Sequence, residues 1–418
     1  MATSWGIAVA QAPKRFVMYH DQWHPSRPGK AEDRAGITHV VLGFADANSL
    51  ETYHPFVSVD TIRSEYGQDV KVMITIGGWG QPEPGFGARA KDPASMAAFA
   101  TAVNTMLETT GADGVDIDWE YPGGNGQNYK TDAGSPADEI ANFPKMLAAI
   151  RTAIGTKILS IAVPGKSTYM MAYTKETGPN IWPHVDFVNI MTYDLSNRRN
   201  DVTGHHTSIH DSHDSIQSYI GVGLDPAKIN LGFAYYAKWY TTKGDCQTPL
   251  GCPLAQLEDP ITGADTKLSG TVTFETANMA PLPAAGSITV SSDGSCGANG
   301  HSCPAGSCCS YAGYCGTTDD YCKGGCQHVF SNGGCKDADV LGSWTKARSQ
   351  GFTDTTAGGQ YYYEFAQRLF WTWDTVDLME KKFDQIVKPL KLGGVMAWSL
   401  GEDSYDWSHI KVMAAKNK

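Results

Sequence analysis

The chain carries little charge and no surplus of positive charge: Asp, Glu, Lys and Arg make up 18% of its 418 residues, and the formal net charge is −11. Without a basic surface, nucleic acid and other polyanions are not expected as partners. No apolar run reaches the ~18 residues of a membrane span, so no transmembrane helix is expected. No internal repeat is present, which excludes a repeat architecture. Cysteine is absent from the first 245 residues and from the last 83; all ten fall between Cys246 and Cys335. An even number at close spacing implies local disulfides, which persist in an oxidising compartment and exclude an ordinary cytosolic home. The expectation is a secreted, extracellular protein. Residues 5–10 are too short for the apolar core of a signal peptide, yet Ala8-Val9-Ala10 has the small-x-small pattern of a cleavage site, so a trimmed signal peptide is expected.

Aromatic residues reach 11%, and Gly, Asn, Ser and Thr crowd the connections. That balance suits clefts that stack on flat, uncharged ligands such as sugars. Short β-branched runs alternate with amphipathic helical stretches from Arg15 onward, the pattern of βα units around a parallel sheet. Strands are expected at 16–19, 39–44, 70–77, 114–121, 157–163, 187–193, 228–234 and 394–399. Asp92-Pro93 supplies an N-cap and first-turn pair for a helix packing through Met96, Phe99, Val103, Met106 and Leu107. A second helix, from Ser135-Pro136, packs through Ile140, Phe143, Leu147 and Ile150, with a kink or restart expected at Pro144. A final helix carries Leu378, Phe383, Ile386 and Val387. Eight strands interleaved with helices predict an α/β fold, a closed (β/α)8 barrel. The spacing breaks once, between Ala234 and Gly394, where a usual unit needs about 30 residues. An insertion is expected there, with 280–294 as a linker into the cysteine-rich segment. The expected division is 1–240 for the first part of the barrel, 241–294 for insertion and linker, 295–336 for the cysteine-rich module and 337–418 for the return. Residues 240–294 and 336–359 are expected to build one wall of a cleft.

In the run from Asp113 to Pro122, the alternation of a strand sends Asp116, Asp118 and Glu120 to one face and Ile117 and Trp119 to the other. The acids then converge toward the C-terminal end of the strand, where such barrels hold their active sites. Like charges this close cannot all ionise, so at least one pKa must rise. The product is a carboxylic acid protonated near neutral pH, the general acid that glycoside cleavage requires. Asp113, Asp116, Asp118 and Glu120 form an Asp-x-x-Asp-x-Asp-x-Glu pattern that resembles the signature of the family eighteen glycoside hydrolases, the chitinases. Thr75-Ile76-Gly77-Gly78 is similar to the family's third-strand Ser-x-Gly-Gly, with threonine keeping the hydroxyl. The run Asn189 to Asp194 resembles the sixth-strand motif, and Gly394 to Trp398 the eighth. Tyr19 and Trp23 fit the aromatic entry to the cleft.

The resemblance implies retaining hydrolysis in which the substrate's own N-acetyl group is the nucleophile. It assigns the acid and later base to Glu120, orientation of the acetamido nitrogen to Asp118, a shared proton to Asp116 and Asp118, and a hydroxyl donated to the acetamido oxygen to Tyr193. Contact with the sugar falls to Tyr19, Trp79, Tyr121, Met191, Asp194 and Trp398. No cofactor and no metal are implied, the partners are chitin and its oligosaccharides, and a monomer is expected. A sequestering protein without activity and an endoglycosidase acting on N-glycans are the alternatives; the intact acids oppose the first, and a chitin-binding module opposes the second.

The segment from Cys296 to Cys335 is too short to bury a sufficient core, so disulfides must constrain it. Adjacent Cys308-Cys309 and the missing paired C-x-x-C spacing oppose a zinc site; a purely structural knot stays open. The segment resembles a hevein-like chitin-binding domain. That resemblance implies the pairs Cys296–Cys309, Cys303–Cys315, Cys308–Cys322 and Cys326–Cys335, and sugar contacts from Ser310, Tyr314 and Tyr321. Ala312 stands where the family has a further aromatic, with Tyr311 beside it. Cys246 and Cys252 are left for a local bridge. His206, His210 and His213 have the spacing of one helical face, but Thr207, Ser208 and Ile209 between them are modest helix formers. With His205 they are read as a rim loop.

Overall fold

The computed structural model describes residues 14–131, 136–279, 281 and 283–418. Ala8-Val9-Ala10, Ser135 and Ala280 lie outside them. Seven strands, β1 (Arg15–Asp21), β2 (His39–Ala45), β3 (Lys71–Gly77), β4 (Gly114–Asp118), β5 (Ile158–Pro164), β6 (Phe187–Met191) and β7 (Ile229–Ala234), close with a last strand, Gly394–Trp398, into a parallel barrel. The closing strand lies between β1 and β7. Large apolar side chains on the outer strand faces pack against the helices, as do Ile117 on β4 and Trp119 just beyond its end. Trp119 stacks on Phe86 at 5.4 Å and meets Phe143 edge-on at 5.8 Å.

Local signals set the helices. Asp92 caps Pro93–Thr110 through the Ser95 N–H at 2.7 Å, and Gly111 ends it in the left-handed region. The helix Pro136–Ile154 runs through Pro144 without a restart, because Phe143, Met146, Leu147 and Ile150 are all buried on the inward face. Histidines 210 and 213 stand on the helix Ile209–Gly221, capped by Ser208, whereas His205 and His206 precede it and are buried. The rim loop expected for all four therefore holds only the first two.

Three strands end earlier than the pattern predicted. β4 stops at Asp118 because its neighbour stops at Gly77, the residue paired with it, and the Asp118 carbonyl then accepts the Gly78 N–H at 2.8 Å. Gly77 has φ 104°, and a Cβ there would lie 2.3 Å from the Asp118 oxygen, so only glycine fits. β6 stops at Met191, opposite the end of β5, and Asp194 turns into the left-handed region at φ 55°. The closing strand stops at Trp398.

The excursion out of the barrel begins as soon as β7 ends. Tyr236–Thr241 joins Ser269–Thr273, Phe352–Asp354, Gly359–Glu364 and Leu369–Trp373 in a five-stranded antiparallel sheet that the βα pattern did not announce. The cysteine-rich segment sits within this excursion. Its bridges are Cys296–Cys309, Cys303–Cys315, Cys308–Cys322 and Cys326–Cys335, with Cys246–Cys252 outside it. Part of the expected linker is incorporated here: Thr289–Val290 pairs with His301–Ser302, and Ile288 packs on the cystines with Phe330 and Leu341. Leu341 belongs to the helix Val340–Gln350 and also packs against the main core.

Candidate active site

β4 carries the centre of the site. Asp116 is wholly buried inside the barrel. Its carboxylate accepts from Ser160 at 2.5 Å, Tyr19 at 2.8 Å, Thr75 at 3.0 Å and Asn189 at 3.3 Å. Asn189 accepts in turn from Asn230 at 2.8 Å, and Arg15 donates to Asn230 at 2.9 Å. A polar ladder thus climbs through the barrel to Asp116. Burial pushes the Asp116 carboxyl up, against the pull of its four donors.

One same-face step further along, Asp118 is buried and its Oδ1 has no hydrogen-bond partner among the described residues. Burial first, then the charges of Glu120 and Asp116, hold its pKa well above the carboxylate range. An unpaired buried acceptor costs ~1–3 kcal/mol, which an N–H arriving from the cleft would relieve. Among the described residues no hydrogen bond joins Asp118 to Asp116, whose oxygens are both engaged elsewhere.

Glu120 stands beyond the last ladder pair, half-buried at the edge of a cleft of about 380 Å³. Burial, opposed by the Tyr121 hydrogen bond and reinforced by the charge of Asp194, raises its pKa to about 7. Tyr19, Trp79, Tyr121, Met191, Tyr193, Asp194 and Trp398 all border the same cleft. The Trp398 ring lies 5.4 Å from Phe44 and 5.9 Å from Tyr19, while Trp23 and Trp79 present exposed faces at the rim. The Tyr193 hydroxyl is buried 3.8 Å from Met396 Sδ. A larger cavity of about 530 Å³ also touches Glu120 and Tyr121, but Asp118 borders only the smaller cleft, where it and Glu120 meet.

A family model, glycosyl hydrolases family 18, matches residues 15–403. The chain belongs to that family. Among its relatives, Chitinase 1 of Aphanocladium album is 29% identical over 193 residues, 41% of this chain and 42% of the relative. Chitinase B of Serratia marcescens is 27% identical over 210 residues, 44% of this chain and 39% of the relative. The matched region thus spans about two fifths of these relatives' lengths. The family 18 N-acetylglucosaminidase of Paenibacillus barengoltzii superimposes with a TM-score of 0.66 at 20% identity, covering 96% of this chain and 99% of that one. A class V chitinase of Nicotiana tobaccum, in complex with NAG4, does so at 0.62 and 17%, covering 97% and 98%. At these identities the likeness is one of fold.

Within this family 18 chain, sequence reasoning missed the groups that hold Asp194. Lys238 Nζ and the Tyr236 hydroxyl each reach its Oδ1 at 2.8 Å. Although burial pulls the other way, Lys238 and His206 hold the Asp194 carboxyl below its ordinary value. The signal was available: Tyr236, Lys238 and Tyr240 alternate along one strand, and all three border the cleft. Arg198 and Arg199, which also border it, were likewise unassigned.

Ser310, Tyr314 and Tyr321 are not brought to this cleft. On the cystine module, Ser310 is buried and accepts the Tyr314 N–H at 3.1 Å; the Tyr314 ring is exposed, and Tyr321 packs against the cluster of Cys308, Cys322 and Cys326. Two groups among the described residues have metal-ligand geometry. In one, the cysteines are committed to disulfides. In the other, His24 stands 3.0 Å from Asp21 and 3.4 Å from Glu402. Burial works against it, but the hydrogen bond to Asp21 and the charges of Glu402 and Asp21 raise the His24 pKa to about 9.

Proposed function

We propose that the chain is a secreted, monomeric chitinase that hydrolyses β-1,4 bonds between N-acetylglucosamine units, with the substrate's acetamido group as nucleophile and the cystine module as a chitin-binding device. The observation that carries this reading is the pairing of an orphaned buried acceptor, Asp118 Oδ1, with an acid of pKa about 7, Glu120, one same-face step away at the cleft edge.

Glu120 protonates the glycosidic oxygen while the N-acetyl carbonyl oxygen of the same sugar attacks the anomeric carbon, giving an oxazolinium-like intermediate. Asp118 accepts the acetamido N–H, which orients that attack and stabilises the developing positive charge. Asp116, fixed by its four donors, sits beneath it, and its charge adds to burial and the charge of Glu120 in keeping the Asp118 carboxyl raised. Tyr193 donates its hydroxyl to the acetamido oxygen. The glutamate then takes a proton from water, which opens the intermediate with net retention. Trp398 floors the sugar at the cleavage point, with Tyr19, Met191 and Asp194 around it and Trp79 and Tyr121 on the rim. Ser310, Tyr314 and Tyr321 contact chitin on the module. Since the nucleophile is an acetamido group, cellulose, which lacks one, is not cleaved.

The test is Glu120→Gln, which removes the transferable proton at nearly constant shape. Turnover of an N-acetylchitooligosaccharide is expected to fall by ~10²- to 10⁴-fold while the oligomer still binds. Wild-type turnover in this variant would defeat the assignment, and a wild-type chain that binds the oligomer without cleaving it would favour a sequestering role.

A further inference from the structure

Glu258, in the inserted segment, is a buried carboxylate with three partners from two distant loops. Tyr129, from the loop after β4, donates to its Oε2 at 2.9 Å. Arg198 and Arg199, from the loop after β6, reach Oε1 at 2.7 and 3.4 Å. Arg199 then turns its other two nitrogens back to the carbonyls of Asn125 and Gly126, at 2.7 and 2.8 Å, and lies 3.8 Å over the Tyr129 ring. Lys130 adds two bonds to the carbonyls of Asp259 and Pro260, at 3.2 and 3.1 Å. Three loops rooted at β4, β6 and beyond β7 are thereby locked together.

Two members of this network reach the cleft that Asp118 and Glu120 border. Arg198, Arg199 and Trp79 all border the cleft, and the Arg199 guanidinium is centred 5.5 Å from the Trp79 ring. Trp79 follows β3, which is separated from β6 in the barrel by β4 and β5. A guanidinium from the loop after β6 thus meets a ring from the loop after β3, and both line the cleft that Glu120 borders. Burying charged groups is costly unless each is paired, and ordering three loops costs further entropy; the barrel closes through its own strands and needs neither. A forked, five-donor guanidinium is the side chain that can hold two carbonyls and a carboxylate together.

We propose that this Arg199–Glu258–Tyr129 clasp decides where along a polymer the enzyme cuts: it bars the cleft past Glu120 to a continuing chain, so that cleavage works from chain ends and releases short fragments. The inference rests on the chitinase reading above. The measurement is the loss of viscosity of a soluble chitin derivative per reducing end formed, which cancels differences in overall rate. The ratio is expected to be low for the wild-type chain and to rise several-fold in Arg199→Ala and Glu258→Gln. Arg199→Lys is expected to behave like the alanine variant, since an ammonium cannot fork to both carbonyls. Tyr129→Phe and Glu258→Gln keep the volume of the network and report on it should Arg199→Ala fail to fold. A folded Glu258→Gln chain with the wild-type ratio overturns the clasp and leaves the chitinase reading standing. No cleavage of any N-acetylated polymer by the wild-type chain overturns both.

Discussion

The inner face of the barrel and the cystine module both hold polar groups in fixed places, by opposite means. At β4, Asp116 is positioned by four hydrogen-bond donors drawn from β1, β3, β5 and β6, and the surrounding core of buried aliphatic and aromatic side chains tolerates the cost of raised carboxyl pKa values. In the module the buried clusters consist largely of the cystines themselves, with Phe330 as the one large buried apolar side chain. There the covalent links replace packing, each removing ~3 kcal/mol of chain entropy from the unfolded state on the loop-closure model. A large core can strain its polar groups toward chemistry, whereas a small one can only display them.

This contrast predicts which changes stay local. The largest effect belongs to the barrel: Glu120→Gln should lower kcat by ~10²- to 10⁴-fold on a soluble oligomer while leaving retention on solid chitin intact, measured by pull-down. If retention falls with turnover, the two regions are not separable. Next comes the module: replacing Cys303 and Cys315 together by serine should cost ~3 kcal/mol locally and abolish retention on chitin, with turnover of short oligomers kept. Tyr314→Ala should weaken retention by only ~2- to 10-fold, the worth of one stacked ring, with every disulfide still formed by mass.

The smallest effect is a stability difference with pH. The Glu120 carboxyl is raised to about 7 in the folded chain, chiefly by burial, from an ordinary value of 4.5. A raised acid binds its proton more tightly when folded, so its destabilising charge is absent below about pH 4.5, grows as pH rises and is complete above about 7. Glu120→Gln should therefore raise the melting temperature by ~2 °C more at pH 8 than at pH 4.5. An equal change at both values would mean that Glu120 titrates as an ordinary surface acid. For the same reason wild-type activity should decline above about pH 7, as the acid form is lost.

Much of the barrel was legible in the chain because each strand reports its own faces: Ile117 and Trp119 are apolar where β4 meets helices, and Asp116 and Asp118 are acidic where it faces inward. The ends of strands were less legible, since β4 stops where β3 does and that depends on a partner forty residues away in sequence. The five-stranded sheet of the insertion escaped notice because its strands come from two stretches separated by the whole cystine module. Likewise the partners of Asp194 and Glu258 could not be paired from sequence. Lys238, on a strand of the inserted sheet, and Arg199, on the loop after β6, are ordinary surface residue types, and only the fold brings each to its carboxylate.

Leu341 has one further consequence. The same side chain packs on the cystines and on the main core, so the module is no pendant on a flexible string. Leu341 thus ties the packing of the module to the packing of the barrel's own core. On the chitin-binding reading proposed above, the module's grip would act as a handle fixed to the barrel, aiming the cleft at one patch of the surface.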